Sequence, residues 1–139
     1  YNMLKLSRHL FGQQPDAKHF DYYERLLLNV RYGTQDRNGM LMYYVSLQPG
    51  MYKTFGTQFD AFWCCTGTGS EEYAKLNDSI YFHDADSVYV NLFIPSKLDW
   101  KEHGLRLSQV TKYPNDGRIT FTIDAAPSKP TALKVRVPY

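Results

Sequence analysis

Residues 62–82 read FWCCTGTGSEEYAKLNDSIYF, and the pattern changes within them. Two cysteines, Cys64 and Cys65, stand side by side after an aromatic pair, and the 139-residue chain has no others. A Thr-Gly-Thr-Gly turn follows and opens onto a helical pattern. Thr68 and Glu71 have capping-box spacing, in which a hydroxyl satisfies an orphan amide and the glutamate reaches back. Asn77 or Asp78 closes that helix. From Ser79 onward the apolar period becomes two, the period of a strand.

Upstream, the chain reads helical. In YNMLKLSRHLF, Met3, Leu6 and Leu10 with Leu4 and Phe11 fall near one face, and Gly12 marks a stop. A second helix starts at the N-cap candidate Asp16, repeats Phe20, Tyr23, Leu27 and Val30, and ends at Gly33. Asn38-Gly39 supplies a turn with positive φ. MLMYYVSL reads as a strand able to line a pocket, and residues 48–63 as loop.

Downstream, SIYFHD, SVYVNLFI, GLRLSQVT, RITFTID and ALKVRV are short alternating runs. Turn signals at Asp84–Asp86, Pro95-Ser96, Asn115–Gly117 and Pro127–Pro130 separate them. Five such runs predict an antiparallel sheet belonging to a sandwich or jelly roll. Val88, Val90, Leu92 and Ile94 share one side, as do Ile119, Phe121 and Ile123. The fold class is therefore α then β, with the boundary near residues 77–79.

Hydrophobic residues at 43% and charged residues at 22% fit a globular chain. The net charge is only +2 and the basic residues are scattered. That argues against nucleic-acid or membrane-surface partners, which need a concentrated basic face. No run is long enough to span a bilayer. Twelve tyrosines suit either ordinary packing or a carbohydrate pocket, because each offers an apolar ring with a polar tip. The chain starts without methionine and stops just after a strand-like run, so it reads as part of a longer protein.

Four readings of the cysteine pair stand open. Buried structural thiols are the usual fate of free cysteine. A disulfide between neighbours is strained. A zinc site wants four ligands, of which the pair supplies two. His9, His19, His83 and His103 have no ligand spacing to it. Finally, a thiolate just upstream of a helix N-terminus is a candidate nucleophile, favoured by the dipole and free amides. GTGSEE lacks the third glycine of a dinucleotide fingerprint and the lysine of a P-loop, so it is not a phosphate loop.

YNMLKLSRHLF, DYYERLLLN, FWCCTGTGSEEYAKLNDSIYF and VYVNLFIPSKLDWKEHGLRLSQVTKYP resemble, in order and over nearly the whole chain, the β-L-arabinofuranosidase group of glycoside hydrolases, family 127 and its sister family 146. The resemblance implies the end of an (α/α)6 catalytic barrel at residues 1–78 and the start of an antiparallel, jelly-roll-like β-sandwich at residues 79–139. It implies a zinc ion held by three cysteines and one glutamate. Cys64 would be nucleophile and ligand, and Cys65 a second ligand. The other two ligands would lie in a Glu-x-Cys motif before Tyr1, and the acid/base glutamate further upstream. Glu24, Glu71 and Glu72 map onto neither role; Glu71 reads as a helix cap, and the chain alone is expected to be inactive. Tyr43, Tyr44 and Trp63 are candidates to line the sugar pocket.

The implied partner is an arabinose-containing carbohydrate. The rival class is a non-catalytic carbohydrate-binding or structural module with buried cysteines. Sugar, linkage, oligomeric state and compartment, cytoplasmic or exported, stay open at the level of sequence.

Overall fold

The computed structural model describes residues 1–139, which divide into two compact units, Tyr1–Leu76 and Asn77–Tyr139. No helix is long and apolar enough to cross a membrane.

In the first unit, α1 (Asn2–Gln13) and α2 (Ala17–Leu26) pack together. Asp16 caps α2 as its spacing predicts: its Oδ1 accepts from the Lys18 amide at 3.0 Å. Leu4, Phe11, Phe20, Tyr23 and Leu27 form the apolar core. The Phe20 ring stacks on Tyr23 and meets Phe11 edge-on, each with centroids 5.1 Å apart. Two expectations need correction. Met3, Leu6 and Leu10 stay substantially exposed, because Leu4, Ser7 and Phe11 are the buried stripe of α1. Gly12 lies inside α1 rather than ending it.

Beyond α2 the helix widens into a π-helical turn at Leu27–Arg31, then tightens into a 3₁₀ turn at Tyr32–Thr34. The wider turn shifts the phase of the chain. Val30 consequently leaves the buried face and is exposed, while Arg31 is brought into contact with α3. Gly39 has φ +87°, the left-handed value expected of the Asn-Gly turn.

MLMYYVSL is not a strand. One bridge, Gln35 to Leu41, is its only ladder contact, and Tyr44 and Leu47 are solvent-facing. Alternating apolar residues form a strand only when a second edge pairs with them, and no segment of this unit does so.

α3 (Cys64–Lys75) begins five residues before the capping box would place it. Its N-cap is Trp63, with extended backbone and no side-chain cap; the Trp63 carbonyl accepts from the Thr66 and Gly67 amides. Thr68 lies inside the helix and donates its hydroxyl to the Cys64 carbonyl at 3.1 Å. Glu71 instead accepts from Lys5 Nζ at 2.9 Å and the Tyr1 hydroxyl at 3.3 Å. The helix carries two interior glycines, each costing about 1 kcal/mol against alanine, and a tertiary contact accounts for the second. Gly67 faces the Phe62 ring, and Gly69 faces the Arg31 guanidinium. The helix ends at Lys75, before the 3₁₀ turn Leu76–Ser79.

The second unit holds two three-stranded sheets. One has β1 (Tyr81–His83), β2 (Ser87–Val90) and β6 (Ala132–Val135) in the order β1-β2-β6; the other runs β3 (Ser96–Trp100), β4 (Leu105–Thr111), β5 (Ile119–Ala125). Val88, Trp100 and Leu105 form a core cluster with Tyr81 and Leu98 against it. Gln109 is almost fully buried, and its Nε2 donates to the Leu92 carbonyl at 3.2 Å and the Ile94 carbonyl at 2.7 Å.

There are six strands rather than five. Ser96–Trp100, taken with Pro95 as a turn, alternates Leu98 and Trp100 against Lys97 and Asp99 and pairs antiparallel with β4. Nor is the pairing wholly antiparallel: β6 lies parallel to β2, from Ser87 opposite Ala132 to Val90 opposite Val135. The chain between β5 and β6 crosses from one sheet to the other, so β6 arrives in the direction of β2. Val88, Val90 and Leu92 are buried as their alternation requires, whereas Ile123 on β5 is exposed.

Candidate active site

Cys64 and Cys65 are the first two residues of α3, both exposed and free. Neither thiol is buried within this chain. Their Sγ atoms are 3.8 Å apart, far beyond the roughly 2.05 Å of a disulfide. Amides in the first turn of a helix lack intrahelical acceptors and carry the positive end of the dipole, which favours a thiolate.

The Tyr43 hydroxyl lies 3.8 Å from Cys64 Sγ. Its ring is held edge-on by Tyr44 at 4.4 Å and Trp63 at 5.2 Å between centroids. These three residues line a cavity of about 450 Å³ with Thr54, Phe55 and Gly56. Trp63 was legible as the aromatic neighbour of the pair in sequence, and Tyr43 and Tyr44 as aromatics of a segment that reads as a pocket-lining strand. Thr54, Phe55 and Gly56 were not, since the loop gives no periodic signal. Gly56 is placed by its amide, which donates to the Leu41 carbonyl at 3.0 Å.

Protons are distributed unequally among the three groups. Hydrogen bonding from Tyr43, then from Cys65, lowers the Cys64 thiol pKa from its ordinary value. The hydrogen bond to Cys64 raises that of Cys65. The same kind of bond to Cys64, with the nearby sulfur charge, pushes Tyr43 up to about 12. These directions agree with Tyr43 as donor and Cys64 as the more acidic of the two thiols.

The remaining carboxylates near the pair are engaged. Glu71 is held below its usual range, chiefly by the hydrogen bond from Lys5. Glu72 is fully buried on α3 and accepts from Arg31 Nε. Among the described residues no three His, Cys, Asp or Glu side chains gather as a metal cluster. The sulfur spacing does fit half of one. Two thiolates on a tetrahedral zinc, each at about 2.3 Å, stand about 3.8 Å apart, the separation found here.

An ionisable thiol beside an aromatic cavity of about 450 Å³ has the ingredients of a nucleophilic site for a small polar ligand. The chain belongs to the GH127 beta-L-arabinofuranosidase family: residues 1–78 match the profile of its catalytic domain and residues 87–139 that of its middle domain. Among solved structures it is similar to Ara127N-Se, a GH127 beta-L-arabinofuranosidase from Geobacillus stearothermophilus T6, with a TM-score of 0.81 and 21% identity over 98% of this chain and 24% of that one. It is also similar to the GH127 beta-arabinofuranosidase BT3674, with a TM-score of 0.79 and 28% identity over 98% of this chain and 22% of that one. The chain thus spans about a quarter of the length of these proteins. No curated protein matches it.

Proposed function

We propose that the chain is part of a retaining glycoside hydrolase that releases β-L-arabinofuranose, or a closely related sugar, with Cys64 as nucleophile. Residues 1–78 form the closing part of an (α/α)6 barrel and residues 79–139 the beginning of a β-sandwich. Family membership supports the reaction class. The observation that carries the residue assignment is the exposed place of Cys64 at the first turn of α3, with the Tyr43 hydroxyl 3.8 Å from its Sγ beside the aromatic cavity.

Retaining hydrolysis needs a nucleophile on one face of the sugar and an acid/base on the other. The Cys64 thiolate attacks the anomeric carbon, forming a C–S bond as the glycosidic C–O bond breaks. The leaving oxygen takes a proton from a general acid. Neither Glu71, bound to Lys5, nor Glu72, bound to Arg31, is placed for that role, and the family resemblance assigns the acid to a glutamate that is not among these residues. Water, deprotonated by the same group, then displaces sulfur and restores the thiolate. Tyr43, Tyr44 and Trp63 wall the sugar. Cys64 and Cys65 would hold a zinc ion as two of its four ligands; when bound, zinc supplies the charge that keeps thiols ionised at neutral pH.

Metal analysis and hydrolysis of an aryl arabinofuranoside by the complete protein test this reading. Stoichiometric zinc in the wild type, with hydrolysis lost in Cys64→Ser while the fold is kept, is the expected result. Cys64→Ser and Cys65→Ser variants altered only in stability would defeat it.

A further inference from the structure

We infer that Arg31, Glu72 and Gly69 form a positioning lock that sets the axial rotation of α3 and thereby aims Cys64; the inference rests on the proposed role of Cys64 as nucleophile. Arg31 closes the π-helical turn and is gripped by one face of α3. Its Nε donates to the fully buried Glu72 carboxylate. Its guanidinium lies over Gly69 so closely that a Cβ there would stand 2.8 Å from Nη2. Its carbonyl accepts from the Tyr73 hydroxyl at 3.0 Å and from Thr34 Oγ1 at 2.7 Å.

Gly69 and Glu72 lie four and seven residues beyond Cys65, hence on the same face of the helix. Cys64 sits about 100° round from that seam, where it meets Tyr43. At a side-chain radius of about 5 Å, a rotation of about 10° moves a sulfur by about 1 Å. A misplacement of that size costs on the order of 100-fold in rate. The N-terminal end of α3 lacks a side-chain cap, so no local cap fixes its phase. The buried pair does so from two turns away. Buried ion pairs add little net stability, and setting register is their best-attested use. Arg31, Glu72 and Gly69 touch neither sulfur and are positioning residues.

The test uses the complete protein with Arg31→Met/Glu72→Leu, an apolar replacement of similar bulk that keeps the seam filled. Two readouts are taken: the iodoacetamide alkylation rates of Cys64 and Cys65 in metal-free protein, by peptide mass spectrometry, and kcat and KM on an aryl arabinofuranoside. The expected results are a Cys64-to-Cys65 rate ratio moved about tenfold toward parity, kcat lowered on the order of 100-fold, and KM changed by less than about threefold. Wild-type ratio and wild-type kcat in a variant that melts with the wild type overturn the inference. If the double variant does not fold, Gly69→Ala carries the same test, because its methyl displaces the guanidinium and leaves both charges in place. An unchanged ratio and kcat there overturn the inference too. If Cys64 proves not to be the nucleophile, kcat loses its meaning and the alkylation ratio alone decides the lock.

Discussion

Gly69→Ala should destabilise the protein, although alanine is the better helix former. In an open helix the change would gain about 1 kcal/mol. Here the new Cβ would stand 2.8 Å from Arg31 Nη2 and 3.4 Å from a Leu41 methyl. The guanidinium is the mobile partner and must withdraw, weakening its hold on buried Glu72. Removing one partner of a buried pair outright costs about 3–5 kcal/mol. Partial withdrawal, offset by the helix gain, leaves a net loss of about 1–2 kcal/mol. In an Arg31→Ala background the obstruction is gone and the same change should stabilise by up to about 1 kcal/mol. Urea unfolding of the four proteins gives the coupling energy of the cycle, expected at about 2–3 kcal/mol. Coupling near zero, or stabilisation by Gly69→Ala in the wild type, would refute the account of why glycine stands inside α3.

Tyr43→Phe removes the hydroxyl that lowers the Cys64 thiol, so the pH midpoint for alkylating Cys64 in metal-free protein should move up; an unmoved midpoint counts against Tyr43 as donor. Gln109→Leu strips the donor from the Leu92 carbonyl, while the Ile94 carbonyl keeps the Ser96 hydroxyl, and should cost about 1–3 kcal/mol for the one buried group left unpaired, read from the thermal transition of the second unit. Asp84 is depressed from 3.8 to about 2, first by the Asp86 amide and then by the Tyr89 hydroxyl. Its stabilisation is therefore complete above about 3.8 and lost as pH falls through about 2; carboxyl NMR should place the midpoint near 2, and Asp84→Asn should flatten that acid limb.

Local chemistry made part of this structure legible in sequence. Asp16 and Gly39 act through their own backbone neighbourhoods, so cap and turn could be read directly. Adjacent cysteines after Trp63 marked the candidate site for the same reason. What stayed hidden depends on partners distant in sequence. The start of α3 has no side-chain cap, and its glycines resemble a turn until Arg31 is seen against Gly69. Arg31 itself looks like an ordinary helix-face charge; only the π turn delivers it to Glu72. The apolar run at Met40–Leu47 has strand chemistry without a strand to pair with. β3 carried its alternation of Leu98 and Trp100 in plain view, masked by the Pro95-Ser96 turn signal. The parallel seating of β6 on β2 follows from a crossover that no local pattern encodes.

The most direct measurement is peptide mass spectrometry of the complete protein after reaction with an arabinofuranoside bearing a good leaving group and rapid acid quench. The account expects a single pentosyl adduct, carried on Cys64 and absent from Cys64→Ser. A pentosyl group on an aspartate or glutamate instead, in a protein whose Cys64 remains free, would contradict it.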